Sequence, residues 1–194
     1  MHVYETKTKT KERIQNSFIE ELNEKQFEQI HVADVCRRAH VSRVTFYNWY
    51  SDKFELLDDI FNELIDEIRK KMDVRQQANN PEDEPIQGYI NLLDIILEST
   101  AGQYDFLKKA EENEDSWLYY YFYNSILKGI VSLMERYAGT ISPRFSSEQT
   151  ASFLCGGLWN FIRTCRSRQM KEDEIRHQAE ELLKAILTSD AFRQ

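Results

Sequence analysis

Apolar side chains recur at three- and four-residue intervals along nearly the whole chain, the pattern of helices that bury one face. Ile14, Phe18, Ile19 and Leu22 make one such stripe within residues 9–22. Val32, Val35, Cys36 and Ala39 make a second, which His40-Val41-Ser42 interrupts. Ser42 is placed to cap a further short helix, in which Phe46 and Tyr50 share the inward face. A fourth helix opens at Ser51-Asp52 and carries Phe54, Leu57, Phe61, Leu64, Ile65, Ile68 and Met72 to about residue 74. Asn79-Asn80-Pro81-Glu82-Asp83-Glu84-Pro85 then breaks the pattern as a loop. Beyond it, helices are expected over 86–99, 104–111, 115–137, 146–166 and 173–187. The first of these is apolar nearly all round, so it belongs at the buried centre. Ser146 with Gln149 gives the fourth of them a capping box. The expectation is an all-α fold without strands, with a three-helix N-terminal head over residues 1–52 and a six-helix body over 53–194. The helix over about 53–74 connects the two.

Composition narrows the class. The chain has 194 residues and no apolar run near the roughly 20 that a membrane span needs. Its N-terminus is polar and lacks the form of a signal peptide, so a cytoplasmic protein without a membrane partner is expected. Cys36, Cys155 and Cys165 are widely spaced and form no Cys-x-x-Cys pair, so neither a disulfide framework nor a zinc site is expected. His2, His31, His40 and His177 are scattered, with no nucleophile–base set and no glycine-rich phosphate loop. No enzyme, cofactor or metal is called for. The net charge of −8 at first argues against a nucleic-acid partner. Residues 1–50, however, hold eight Lys/Arg against seven Asp/Glu, so the acidity lies in the remainder. Lys7, Lys9, Lys11 and Arg13, then Arg37, Arg38 and Arg43, cluster in this part, a distribution that would turn a cationic face toward phosphate.

The segment 29–57 reads as a helix-turn-helix followed by the start of a longer helix. A short rigid helix that shows Arg43, Val44, Thr45, Tyr47 and Asn48 on its outer faces offers what reading a DNA groove requires. Residues 11–57 resemble the DNA-binding domain of the tetracycline-repressor (TetR/AcrR) family. Val35, Cys36, Ala39, Val41, Ser42, Thr45, Phe46, Tyr47, Trp49, Tyr50, Lys53 and Leu56 carry the match in register. Two positions depart from the family pattern: His40 replaces the usual turn glycine, and His31 replaces the usual Ser/Thr cap. A backbone with φ > 0 is awkward for His, although His is one of the non-glycine types enriched there.

The resemblance implies a homodimeric repressor that binds double-stranded DNA at an inverted-repeat operator and is released by an unidentified small-molecule effector. It makes Thr45 and Tyr47 phosphate contacts and places Lys53 at a phosphate beside the N-terminus of the fourth helix. Arg43, Val44 and Asn48 are the expected base readers, since Arg suits guanine, Asn suits adenine and Val meets a thymine methyl. Residues 117–123 hold six aromatics in seven positions. With the family's effector pocket in mind, Tyr89, Leu93, Phe106, Trp117, Tyr120, Tyr121, Asn124, Trp159 and Arg163 are pocket candidates, each competing with ordinary core packing. Phe153, Gly157, Leu158 and Phe161 on the eighth helix and Ala179, Leu182, Leu183 and Ile186 on the ninth are the expected dimer face. Two alternatives stay open: a thiol-redox regulator using Cys155 and Cys165, and a helical scaffold that has lost DNA binding.

Overall fold

The computed structural model describes residues 2–100 and 116–193. These residues form eight α-helices: α1 (His2–Glu24), α2 (Val32–Arg38), α3 (Arg43–Tyr47), α4 (Lys53–Asn79), α5 (Pro85–Glu98), α6 (Ser116–Tyr137), α7 (Ser147–Ser167) and α8 (Glu172–Leu187), with a 3-10 turn at Phe27–Gln29. The all-α expectation holds. The helix expected over 104–111 lies outside the described residues. One correction concerns strands: Ser142–Pro143 (β1) pairs antiparallel with Phe192–Arg193 (β2). Two residues per strand are too few for any alternation to show in the sequence. The pairing places Phe192 in a buried position.

The chain divides into two compact units. The first holds residues up to 66 and the start of α6 through Tyr121, and the second holds the rest. Helices α4 and α6 each contribute to both.

In the first unit the predicted stripe of α1 is the core. Ile14, Phe18 and Leu22 are buried together with Phe27, Ile30, Val35, Phe46, Leu56 and Leu57. Polar groups then fix the register. The Asp59 carboxylate on α4 accepts from the Tyr50 hydroxyl at 2.7 Å and from Gln15 Nε2 at 3.1 Å, and pairs with Lys11 Nζ at 2.9 Å. Burial, then the bond to Asp59, pushes the Tyr50 hydroxyl far above its usual pKa, so it stays a donor. Glu21 is only 1% exposed and is paired with Arg38 Nε and Lys25 Nζ, both at 2.8 Å.

In the second unit α5 is the buried centre expected from its composition, with Tyr89, Ile90, Leu93, Ile95, Ile96 and Leu97 all inside. Gly88 is required there: a Cβ on it would lie 2.3 Å from the Tyr137 hydroxyl. Helix α4 runs five residues past its expected end, to Asn79. Its last turns are held by polar bonds that hydrophobic spacing cannot reveal. Arg75 pairs with Glu98 at 2.8 Å, Asn79 exchanges amide bonds with Asn91 at 2.9 and 3.0 Å, and Gln76 bonds Asn91 and Tyr137.

Candidate functional site

Helix α2 starts without a side-chain oxygen at its cap. The His31 backbone N–H is satisfied by the Asp34 carboxylate at 3.4 Å, the reciprocal half of a capping box. Desolvation works against the charge on Asp34, but the His31 N–H, Lys25 and Arg37 together hold it below the usual carboxylate range. At the other end, Arg13 closes the helix. Its guanidinium donates to the Ala39 carbonyl at 2.7 and 3.2 Å and to the His40 carbonyl at 3.1 Å, a cation at a helix C-terminus.

His40 then adopts φ = 51°, the left-handed conformation that the family glycine supplies without strain. The expected strain is therefore present. Replacing His40 by Gly is expected to raise stability by about 1 kcal/mol, read as a higher midpoint in urea at unchanged slope.

Helix α3 is set by its cap. Ser42 Oγ accepts from the Thr45 N–H at 3.0 Å, and Thr45 Oγ1 lies 2.8 Å from the same oxygen. This turns Phe46 fully inward and leaves Arg43, Val44 (71% exposed), Tyr47 (55% exposed) and Asn48 on the outer face. Thr45 is half-buried, with its hydroxyl already engaged by Ser42. The outer face thus joins a cation, an amide, a phenol and a branched apolar group on a capped helix. These are the chemical types that contact base edges and phosphates in DNA grooves.

Lys53 is put to a different use from the one expected. Its ammonium donates to three backbone carbonyls, Phe27 at 2.8 Å, Ile30 at 2.9 Å and Glu28 at 3.1 Å, and sits 4.5 Å from the centre of the Phe27 ring. An ammonium has three N–H donors, and all are engaged. The first amides of α4 are also occupied, because Asp52 Oδ1 accepts from the Phe54 and Glu55 N–H groups at 2.8 and 2.9 Å. The phosphate site expected at this helix start is therefore filled by the protein itself.

The cationic cluster read from the sequence is similarly absorbed. Lys11 pairs with Asp59 and Glu63, Arg37 with Asp34, and Arg38 with Glu20, Glu21 and Glu24. Arg43 and Lys9 remain exposed. The side chain of Lys7 lies outside the described residues.

The pocket candidates separate into two groups. Trp117, Tyr120 and Tyr121 belong to the first unit. Trp117 packs against Phe54 at 5.5 Å and Phe27 at 6.1 Å, and its Nε1 donates to Glu28 at 3.0 Å. Tyr121 lies on Phe61, and Tyr120 is exposed. None of the three lines the body cavity described below. Asn124 and Arg163 do not line it either, Arg163 being exposed and bonded to Asn160. Phe106 lies outside the described residues.

Tyr89, Leu93 and Trp159 do line a partly open cavity of about 50 Å³ in the second unit. Sequence reasoning missed the rest of its wall: Phe122, Ile126 and Ile130 on α6, with Leu154, Ile162 and Leu183. The four-residue spacing of Phe122, Ile126 and Ile130 was visible, but not which neighbour that stripe meets.

The expected dimer face is partly corrected. Phe153 (70% exposed), Gly157, Leu158, Phe161, Leu182 and Ile186 line an open apolar groove of about 400 Å³ on α7 and α8. Ala179 and Leu183 instead face inward and are buried. The two sides of α8 are both apolar, so the stripe read from the sequence merged an inner and an outer row. Among the described residues, nothing beyond the adjoining helix backbone comes within 4 Å of a Cβ built on Gly156 or Gly157.

The three cysteines are buried and unbonded to one another. Burial pushes the Cys155 thiol up to about 12, the opposite of a reactive thiolate. Among the described residues, no helix is long and apolar enough to cross a membrane.

No family model matches the chain. It is 29% identical over 94 residues to an uncharacterized HTH-type transcriptional regulator, YxbF, of Bacillus subtilis strain 168; the match spans 48% of this chain and 24% of that protein. Solved structures match over almost the full length. A TetR-family transcriptional regulator from Syntrophomonas wolfei superposes with a TM-score of 0.75 at 12% identity, covering 94% of this chain and 97% of that one. A TetR transcriptional regulator from Streptococcus agalactiae gives 0.66 at 19% identity, covering 94% and 98%. The Thermus thermophilus repressor FadR, solved with lauroyl-CoA, gives 0.58 at 21% identity, covering 93% and 97%. This chain has the fold of the TetR-family transcriptional regulators.

Proposed function

We propose that this chain is a DNA-binding transcriptional regulator, a homodimeric repressor that holds a palindromic operator until a small-molecule effector releases it. The outer face of α3 carries the proposal, with Arg43, Val44, Tyr47 and Asn48 exposed on a helix whose cap and inward Phe46 fix its orientation. Arg43 and Asn48 read base edges, Val44 meets a thymine methyl, and Tyr47 donates to phosphate. Selection of bound duplexes from a random pool tests this reading. An enriched inverted repeat supports it, and a pool left unenriched by folded protein counts against it.

Two copies joined through the apolar groove of α7 and α8 would present two α3 helices to the two halves of such a repeat. The open space over Gly156 and Gly157 supports this, since glycines inside a helix cost roughly 1 kcal/mol each against Ala and gain a purpose if a second copy packs there. Sedimentation at micromolar concentration is expected to give twice the chain mass of 23.1 kDa. Phe153→Glu or Leu182→Glu is expected to halve that mass while leaving the helical signal intact. Leu183→Glu, by contrast, is expected to unfold the second unit, because Leu183 is buried within it. A wild-type chain sedimenting as a monomer would contradict the dimer.

The effector reading rests on the cavity and on α4 and α6, each of which contributes residues to both units. An effector changes DNA affinity only as far as its own affinity differs between the two states.

A further inference from the structure

We infer that Tyr137 is a positioning residue through which occupancy of the cavity is felt at α4: its ring meets a residue of the cavity wall, and its hydroxyl holds the last turns of that helix. The inference rests on the effector reading above and gives it a physical route. Three observations carry it, all within the second unit.

The first is what holds the end of α4. Gln76, Asn79 and Asn80 are all bonded there through their side-chain amides. Gln76 Nε2 donates to the Tyr137 hydroxyl at 3.0 Å, while Gln76 Oε1 accepts from Asn91 and, at 3.3 Å, from Asn80. Asn91 is fully buried and also exchanges amide bonds with Asn79. Hydrogen bonds weaken steeply once their geometry is lost, so a small shift of one member changes the anchorage of α4 in a step.

The second is the position of the Tyr137 ring. Tyr137 ends α6 and is buried. Its ring centre lies 6.1 Å from that of Tyr89, which belongs to the cavity wall. Gly88 leaves the space that the phenol fills. Ile126 and Ile130, also in the wall, share a helix face with Tyr137, because seven and eleven residues make about two and three turns. The cavity thus reaches Tyr137 both through Tyr89 and along α6.

The third is the hydroxyl. It donates to Asp83 Oδ1 at 2.8 Å while accepting from Gln76, and Arg136 holds the same carboxylate at 2.9 Å. Burial, then the bond to Asp83, raises the pKa of the phenol, so it stays the donor of this pair. An apolar ring would fill the same space. What the hydroxyl adds is a tie from α6 to α4 and to the loop that follows α4, in a network whose members depend on one another. An occupant that displaces Tyr89 or the α6 face moves the group that Gln76 is bonded to.

Two measurements on the full chain test this. Tyr137→Phe keeps the ring and removes the hydroxyl, and is expected to speed amide exchange at residues 77–80 about tenfold. Unchanged exchange there would remove Tyr137 as an anchor of α4. For the second, Leu154→Phe fills the cavity from α7 and stands in for an occupant; Ile130→Phe fills it from α6 should the first variant fail to fold. Filling is expected to change affinity for the selected duplex about tenfold in the parent chain and less than about twofold in the Tyr137→Phe background. A residue that only packs would lower the melting temperature and leave the tenfold response intact; that result overturns the inference while the effector reading stands. Folded, filled variants that bind the duplex as the parent does would end the effector reading and the inference together.

Discussion

Replacing Lys53 by Ala is expected to destabilise the chain by about 3 kcal/mol, a fall in melting temperature of about 6–12 °C. The ammonium ties the Phe27, Glu28 and Ile30 carbonyls, the C-terminal end of the short turn that leads into α2. Hydrogen bonds from a charged group contribute more than neutral ones, and two of these three are partly buried. Removal leaves several carbonyls without their donor and also takes a cation from above the Phe27 ring. Lys53→Met keeps the aliphatic stem and separates packing from charge; it is expected to lose most of the same stability. Measured well below its melting point, Lys53→Ala is expected to retain duplex affinity within a few-fold. Unchanged stability with a large uniform loss of DNA binding would restore Lys53 to a phosphate and contradict its structural role.

The second large effect is expected at the reading helix. Arg43→Ala and Asn48→Ala are each expected to weaken binding to the selected duplex by about 1–3 kcal/mol, roughly 5- to 150-fold, and to relax the preference at one base position per half-site. Both side chains are exposed, so neither change is expected to move the melting temperature by more than a degree or two. Val44→Ala should relax selectivity for thymine at its own position. Losses that were equal on every sequence would mean that Arg43 and Asn48 meet phosphates and that specificity lies elsewhere.

Which side chains turn inward was largely legible in the sequence, because burial of one helical face imposes a period. The stripe of α1, the inward Phe46 and Tyr50, and the apolar α5 are all where spacing puts them. Local backbone chemistry was legible too. Ser42 and Ser146 cap their helices, and His40 takes the left-handed turn. What spacing does not encode is the partner. Lys53 could meet a phosphate or a ring of carbonyls, and only the path of residues 27–30 decides between them. Trp117 and Trp159 sit in equally aromatic surroundings, yet one packs on Phe27 and Phe54 and the other lines the cavity. Helices apolar on two sides blur inner and outer rows, which is why Ala179 and Leu183 were read together with Leu182. The basic cluster misled for a related reason: counting charges gives no account of the acids that neutralise them within the fold.

The central claim is that α3 reads DNA, and one titration tests it most directly. A labelled duplex carrying the selected inverted repeat is titrated with folded chain at 50 and 200 mM salt, beside a scrambled duplex of equal length. Tight, saturable binding of the repeat is expected at the lower salt, with about a 1,000-fold loss at the higher one as the counterions released from some six phosphates are held back. The scrambled duplex is expected to bind at least 100-fold more weakly at both. Folded protein that binds neither duplex at 50 mM salt, or binds both alike, would contradict the account.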